Sequence, residues 1–224
     1  METIVNSHRT IKMPRSTRSR SAWMCGLALP ALLGLSMHSA AATHALVVSG
    51  LGGEADYSQA FDEAAKTYTD ALRTIDESNG QIIRLTESAT RQDVLSAMES
   101  LASAMQSTDT FVLILVGHGT VDGSTWRFNI RGPDVTTEDL VAALNDVLAS
   151  RQLVILASSA SGAALEALTQ PGRVVVTATK SGGEVNAVRF PGYLADALTA
   201  SSADYDRNEI LTVAEAFRFA TART

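Results

Sequence analysis

The chain has 224 residues, of which 46% are hydrophobic and 19% charged, with a formal net charge of −6. That length and apolar content suit one globular domain with a sizeable core, and they exclude a disordered or fibrous chain. The acidic balance excludes nucleic acid and anionic membrane surfaces as partners, because both require clustered Lys and Arg.

Residues 1–42 read as a secretory signal peptide. Arg9, Lys12, Arg15, Arg18 and Arg20 make a basic leader. Residues 22–35 are apolar but too short to span a bilayer comfortably, and Ala40-Ala41-Ala42 fits a small-residue cleavage site. The alternative is an uncleaved N-terminal anchor. Cleavage after Ala42 removes five of the 18 basic residues and one of the 24 acidic ones, which takes the net charge from −6 to −10. It also removes Cys25, the only cysteine. The mature protein, secreted or periplasmic, would then have no disulfide, no thiolate ligand and no cysteine nucleophile. Residues 43–224 are expected to form a single domain.

Within that domain strands and helices alternate. A strand over 44–49 ends in Gly50-Leu51-Gly52-Gly53, followed by helical spacing of Tyr57, Phe61, Ala65, Tyr68 and Leu72 up to residue 75. Asn79-Gly80 closes that helix, and 81–85 is a short strand. A helix over 93–105 has Ser88 or Thr90 as its cap. Residues 110–116 form a strand buried on both faces, and 126–130 alternates like an edge strand or hairpin arm. Thr136-Thr137-Glu138-Asp139 is a cap with early acids, opening a helix to residue 149. Then follow a strand over 152–157, a helix over 163–168, a strand over 173–178, and helices over 193–198 and 213–222. Such alternation predicts an α/β fold with a mainly parallel sheet covered by helices on both faces.

Two strand ends carry chemistry. The 110–116 run stops at Gly117-His118-Gly119, and the next apolar run stops at Ser158-Ser159-Ala160-Ser161-Gly162. Open α/β sheets place ligands at the C-terminal edges of their strands, so a His and a Ser there could act as base and nucleophile. Short hydroxyls before a helix also serve as caps, and the G-x-S-x-G elbow of α/β hydrolases is absent. Gly50-Leu51-Gly52-Gly53 lacks G-x-G-x-x-G spacing, and Glu54 and Asp56 follow it; it reads as a tight βα turn rather than a phosphate cradle.

Residues 204–215 carry oxygens with the spacing of an EF-hand loop: Asp204, Asp206, Asn208, Thr212 and Glu215, with Leu211 as the apolar eighth residue. Glu209 stands where a Gly makes the sharp turn, so it should need a positive φ. No helix runs into this loop in the sequence pattern. The alternative is a set of solvated acids capping the last helix. The expected ligand is weakly held Ca²⁺, and no cofactor is required.

The order of Val47-Val48-Ser49-Gly50, Val116-Gly117-His118-Gly119 and Ala157-Ser158-Ser159-Ala160-Ser161-Gly162 resembles the caspase–legumain superfamily of cysteine peptidases, and its legumain branch in particular. In that family a His-Gly follows one apolar strand and an Ala-Cys-x-Ser-Gly follows the next. The resemblance spans most of the domain and implies a caspase-like three-layer sandwich. It implies that His118 is the catalytic histidine, that the Gly119 backbone helps hold the oxyanion, and that Ser159 occupies the nucleophile position, with Gly117 and Ser158 touching substrate. Two positions depart from the pattern. Ser159 replaces the nucleophilic Cys, and Asp56-Tyr57-Ser58 has no Arg to grip the substrate side chain. A serine needs a strong, oriented base where a thiol does not. The expectation is therefore a pseudopeptidase that binds a peptide or protein partner. The alternative is a peptidase or hydrolase using a Ser159–His118 dyad.

Overall fold

The computed structural model describes residues 41–75, 80–185 and 189–224. The leader over 1–40, Cys25 and Asn79 lie outside the described residues. The elements run β1 (Thr43–Ser49), α1 (Ala55–Ile75), β2 (Ile82–Leu85), α2 (Arg91–Ala104), β3 (Thr110–Gly117), β4 (Gly119–Asp122), β5 (Thr125–Phe128), β6 (Val135–Thr136), α3 (Thr137–Asn145), β7 (Arg151–Ser158), α4 (Leu165–Leu168), β8 (Arg173–Thr177), α5 (Phe190–Ala197) and α6 (Val213–Thr221).

Successive side chains of a strand point to opposite faces, so an all-apolar strand needs cover on both. β1 and β3 are such strands and lie side by side in a five-stranded parallel sheet of order β2-β1-β3-β7-β8. Ala45, Val47, Val112, Ile114 and Val116 face α1, α5 and α6. Leu46, Val48, Leu113, Leu115 and Leu156 face α2, α3 and α4. The predicted α/β architecture, with a mainly parallel sheet and helices on both faces, is what the chain forms. Tyr68 ties α1 to α5 by donating its hydroxyl to Pro191 O at 2.6 Å.

Of the two readings of 126–130, the hairpin arm is what forms: β5 pairs with β4 in a separate antiparallel sheet of order β4-β5-β6, in which Gly119 pairs with Phe128. Two elements differ from the sequence expectation. The helix expected over 163–168 begins as a 3₁₀ turn, Ser161–Ala164, and leaves only four α-helical residues. α3 stops at Asn145, not 149. There the Gln152 side-chain amide approaches Leu144 O, Val147 O and Ala149 O at 3.2–3.4 Å, and Val147 and Ala149 turn into the core.

Three helices start with the same device. Thr90 with Asp93, Thr136 with Asp139 and Thr212 with Glu215 form reciprocal capping boxes. Hydrogen bonds from Thr90 hold the Asp93 carboxyl below its ordinary pKa. Arg91 does the same for Asp139, and the Thr212 side chain and amide do so for Glu215. A carboxylate with a depressed folded-state pKa contributes stability above its unfolded pKa and loses it as the pH falls through the folded value. The urea midpoint should therefore stay level from neutral pH to about 5.5, then fall as the pH passes about 4 and keep falling below it. A midpoint at pH 3 equal to that at pH 7 would show that these caps do not matter.

Candidate functional site

The direction of winding reverses between two central strands. β1 connects through α1 to β2 on one side, whereas β3 leads through α3 to β7 on the other. Ligands of open α/β sheets bind outside the carboxyl ends of the strands at such a reversal. Gly50 and Leu51 follow β1 there, and His118 follows β3. Gly50 donates its N–H to Val116 O and Leu51 donates to Asn129 O, so two amides of the glycine turn are committed to the fold.

β3 and β7 are parallel neighbours, with Gly117 opposite Ser158. His118 and Ser159 each stand one residue beyond that pair. Their side chains nonetheless have different surroundings. The half-buried His118 ring meets Tyr57 edge-on at 5.2 Å and Phe61 edge-on at 5.0 Å, both from the first turns of α1. No described residue hydrogen-bonds its ring. Ser159 is 2% exposed. Its Oγ accepts the Gly119 N–H at 3.0 Å and donates to Gly119 O at 3.1 Å, so one hydroxyl closes on both polar groups of one residue. The Gly119 N–H, expected to hold an oxyanion, is thus taken by the residue at the nucleophile position. Trp126 Nε1–H donates to Ser159 O at 3.3 Å, and Ser158 Oγ donates to the same carbonyl at 3.3 Å.

Ser158 and Gly117, expected to touch substrate, are both buried at the ends of β7 and β3. Ser161 Oγ accepts from Ala178 N–H, and Gly162 N–H donates to Thr179 Oγ1, which ties the turn after β7 to the end of β8. Sequence reasoning missed Tyr57 and Phe61 as walls around His118, because their helical spacing is equally that of core residues. It also missed Ala160, which is buried and left-handed at φ 55 directly after Ser159. That conformation costs an L-residue roughly 1–2 kcal/mol, and only the backbone reveals it.

The 204–215 loop brings together one carboxylate oxygen each from Asp204, Asp206 and Glu215, all within 4.8 Å of one another. About that distance separates opposite oxygens around Ca²⁺, which takes its ligands at roughly 2.4 Å. The oxygens also carry the loop's own hydrogen bonds. Asp204 accepts from Asn208 N–H and Glu209 N–H, Asn208 Oδ1 accepts from Ile210 N–H, and Glu215 accepts from Tyr205 N–H and from Thr212. Thr212 is the N-cap of α6, and Asn208 lies against Asp206 through its amide at 2.9 Å. Glu209 adopts φ +64, the left-handed turn anticipated where Gly is missing, and Arg207 does so too at φ +58. As expected, no α-helix runs into the loop: α5 ends at Ala197 and packs on α6, and only a three-residue 3₁₀ turn, Ser201–Ala203, precedes Asp204.

Among known proteins no family model matches the chain, and no curated protein matches it either.

Proposed function

We propose that the chain is an exported caspase/legumain-like peptidase homologue in a caspase-like three-layer sandwich. Its cleft beside His118 binds a peptide or protein segment and does not cut it. One observation carries this reading: the Ser159 hydroxyl is buried and bonded to both the N–H and the C=O of Gly119, which removes nucleophile and oxyanion donor together. The His-Gly and the nucleophile position on adjacent parallel strands support the resemblance. That same adjacency favours one second reading, a Ser159–His118 hydrolase.

The test uses fluorogenic asparaginyl and aspartyl peptides, a fluorophosphonate probe and a phage-displayed peptide library. The native protein should turn over neither peptide, and the probe should leave Ser159 unlabelled. The library should enrich a sequence whose affinity drops at least about tenfold, or 1.4 kcal/mol, in His118→Ala. Turnover with labelling of Ser159 would replace the binding reading by the hydrolase, and a library that enriches nothing would remove it. Ser159→Cys should stay inactive, because the missing Arg leaves the substrate side chain ungripped. Activity in Ser159→Cys that His118→Ala removes would show an otherwise intact catalytic cleft.

For the 204–215 loop the proposed ligand is Ca²⁺ held by Asp204, Asp206, Asn208, Thr212 and Glu215, fixing α5 to α6. Affinity should be at best about 10⁻⁴–10⁻³ M, since the oxygens already serve the loop. Glu209→Gly removes a left-handed non-glycine residue. It should raise stability by about 1 kcal/mol without calcium and tighten calcium binding, while Asp204→Ala abolishes it. Calorimetry with no calcium heat for native protein or Glu209→Gly would leave only the capping role.

A further inference from the structure

The surface groove between α2 and α3, about 560 Å³ in volume, lies away from His118. Both helices run toward the strand starts, α2 into β3 and α3 into β7, so the groove ends at the opposite edge of the sheet. Leu95, Ala102, Ala142, Ala143 and Leu148 give it apolar walls. The alanines leave room for another backbone to come close. Leu148 is 66% exposed at its lip, the most exposed large hydrophobic side chain among the described residues. An exposed apolar lip on a groove marks a contact surface more often than an isolated surface leucine does.

The charge pattern says what kind of partner fits. Glu99, Asp139 and Asp146 line the groove, and among the described residues no Lys, Arg or His does. Asp139 is neutralised by the bidentate Arg91, but the exposed Glu99 and Asp146 have no ion-pair partner among the described residues. Helix C-termini carry partial negative charge and are stabilised by nearby cations. Neither α2 nor α3 has a basic residue in its last turn, and the cap of α3 is itself an acid, Asp146. The nearby Arg151 turns its guanidinium to Thr108 O. Two negative helix ends and two unpaired carboxylates therefore converge where the isolated fold would be better served by a lysine. Such a local violation is expected where another molecule supplies the compensation.

We infer that this groove docks an amphipathic helix of a partner protein, with an apolar stripe against Leu148 and the alanines and Lys or Arg flanking it over Glu99 and Asp146. Helix-in-groove binding of this kind takes its affinity from the apolar anchors and its selectivity from the flanking charges. A second copy of this acidic chain would be repelled from the same surface. This inference does not depend on the His118 site.

The probe is a fluorescein-labelled helical peptide about five turns long, with a Leu/Ala stripe and Lys flanks, beside a counterpart with Glu flanks. In polarisation titrations at low salt the Lys peptide should bind the full chain at least about tenfold tighter than the Glu peptide, and 0.5 M salt should shrink that gap, as roughly a 3–5 Å screening length requires. Leu148→Asp should weaken binding about tenfold or more, and Glu99→Gln with Asp146→Asn should erase the preference for Lys. All three positions are exposed, and melting curves should show each variant as folded as the native protein. Equal binding of the two peptides, no binding of either, or binding untouched by both sets of substitutions would overturn the proposal. So would a concentration-dependent dimer in sedimentation that Leu148→Asp abolishes, which would assign the groove to self-association.

Discussion

Arg173→Met should be among the most destabilising single substitutions in the domain, lowering the unfolding free energy by about 4 kcal/mol and the melting temperature by on the order of 10 °C. Arg173 is 7% exposed at the start of the edge strand β8. Its Nε–H donates to Gln152 Oε1 at 2.7 Å, one terminal nitrogen to Leu168 O at 3.0 Å and the other to Asn145 Oδ1 at 3.2 Å. Gln152 in turn spreads its amide over three carbonyls at the end of α3. One cation thus sits where α3 and α4 both finish, and it joins them to β7 and β8. Burial pushes its pKa below the ordinary arginine value, yet it serves only neutral acceptors and remains charged at neutral pH. Methionine fills much of the volume but leaves three acceptors unpaired, at about 1–3 kcal/mol for each one that stays buried. Arg173→Lys keeps the charge, loses the planar fork, and should lose more than half as much. Adding Gln152→Leu to Arg173→Met should cost less than the two single effects summed, because the pair shares one network. A melting temperature for Arg173→Met within about 3 °C of native would show that the network is idle.

That network could not be read from the chain, because its members are brought together only by the register of β7 on β8 and by the point where α3 stops. Elements whose signal is local were legible. The buried strands β1, β3 and β7 show as apolar runs, α1 as helical spacing, and the caps of α2 and α3 as Thr followed three residues later by Asp. At one place the same local grammar has two readings. Thr212-Val213-Ala214-Glu215 is a third capping box, but inside an acidic loop its Thr and Glu equally fit the ninth and twelfth positions of a calcium loop. β4 was invisible because Gly119-Thr120-Val121-Asp122 has no alternation of its own and exists only by pairing with β5. At the site, the sequence indicated that His118 and Ser159 would stand on strand ends, but not which way their side chains would turn. That direction depends on Gly119, and on α1 presenting Tyr57 and Phe61 to the imidazole.

Gly119→Ala should therefore damage stability and site together. A Cβ on Gly119 would overlap Ser159 O and Trp126 Nε1, and would stand 3.0 Å from Ser158 Oγ. None of these can yield cheaply. The first is backbone, Trp126 is fully buried, and Ser158 has no exposed surface. To admit a methyl group the β4–β5 hairpin must lift from the end of β7. That breaks the paired Gly119–Ser159 hydrogen bonds and the Trp126 bond to Ser159 O, and it disturbs the packing of Trp126 against Phe128, whose ring centroids lie 6.2 Å apart. Overpacking a tight core costs about 1–3 kcal/mol, and the three broken hydrogen bonds add about 1 kcal/mol each, for roughly 4–6 kcal/mol in all. Ser159→Ala provides the control, since it removes the hydroxyl without the clash and should cost only about 1–3 kcal/mol. It should also free the Gly119 N–H, so amide hydrogen exchange at residue 119 should accelerate in Ser159→Ala while β3 keeps its protection. If Gly119→Ala melts within about 2 °C of the native protein, or if exchange at residue 119 is no faster in Ser159→Ala, the serine is not the clasp that closes this site.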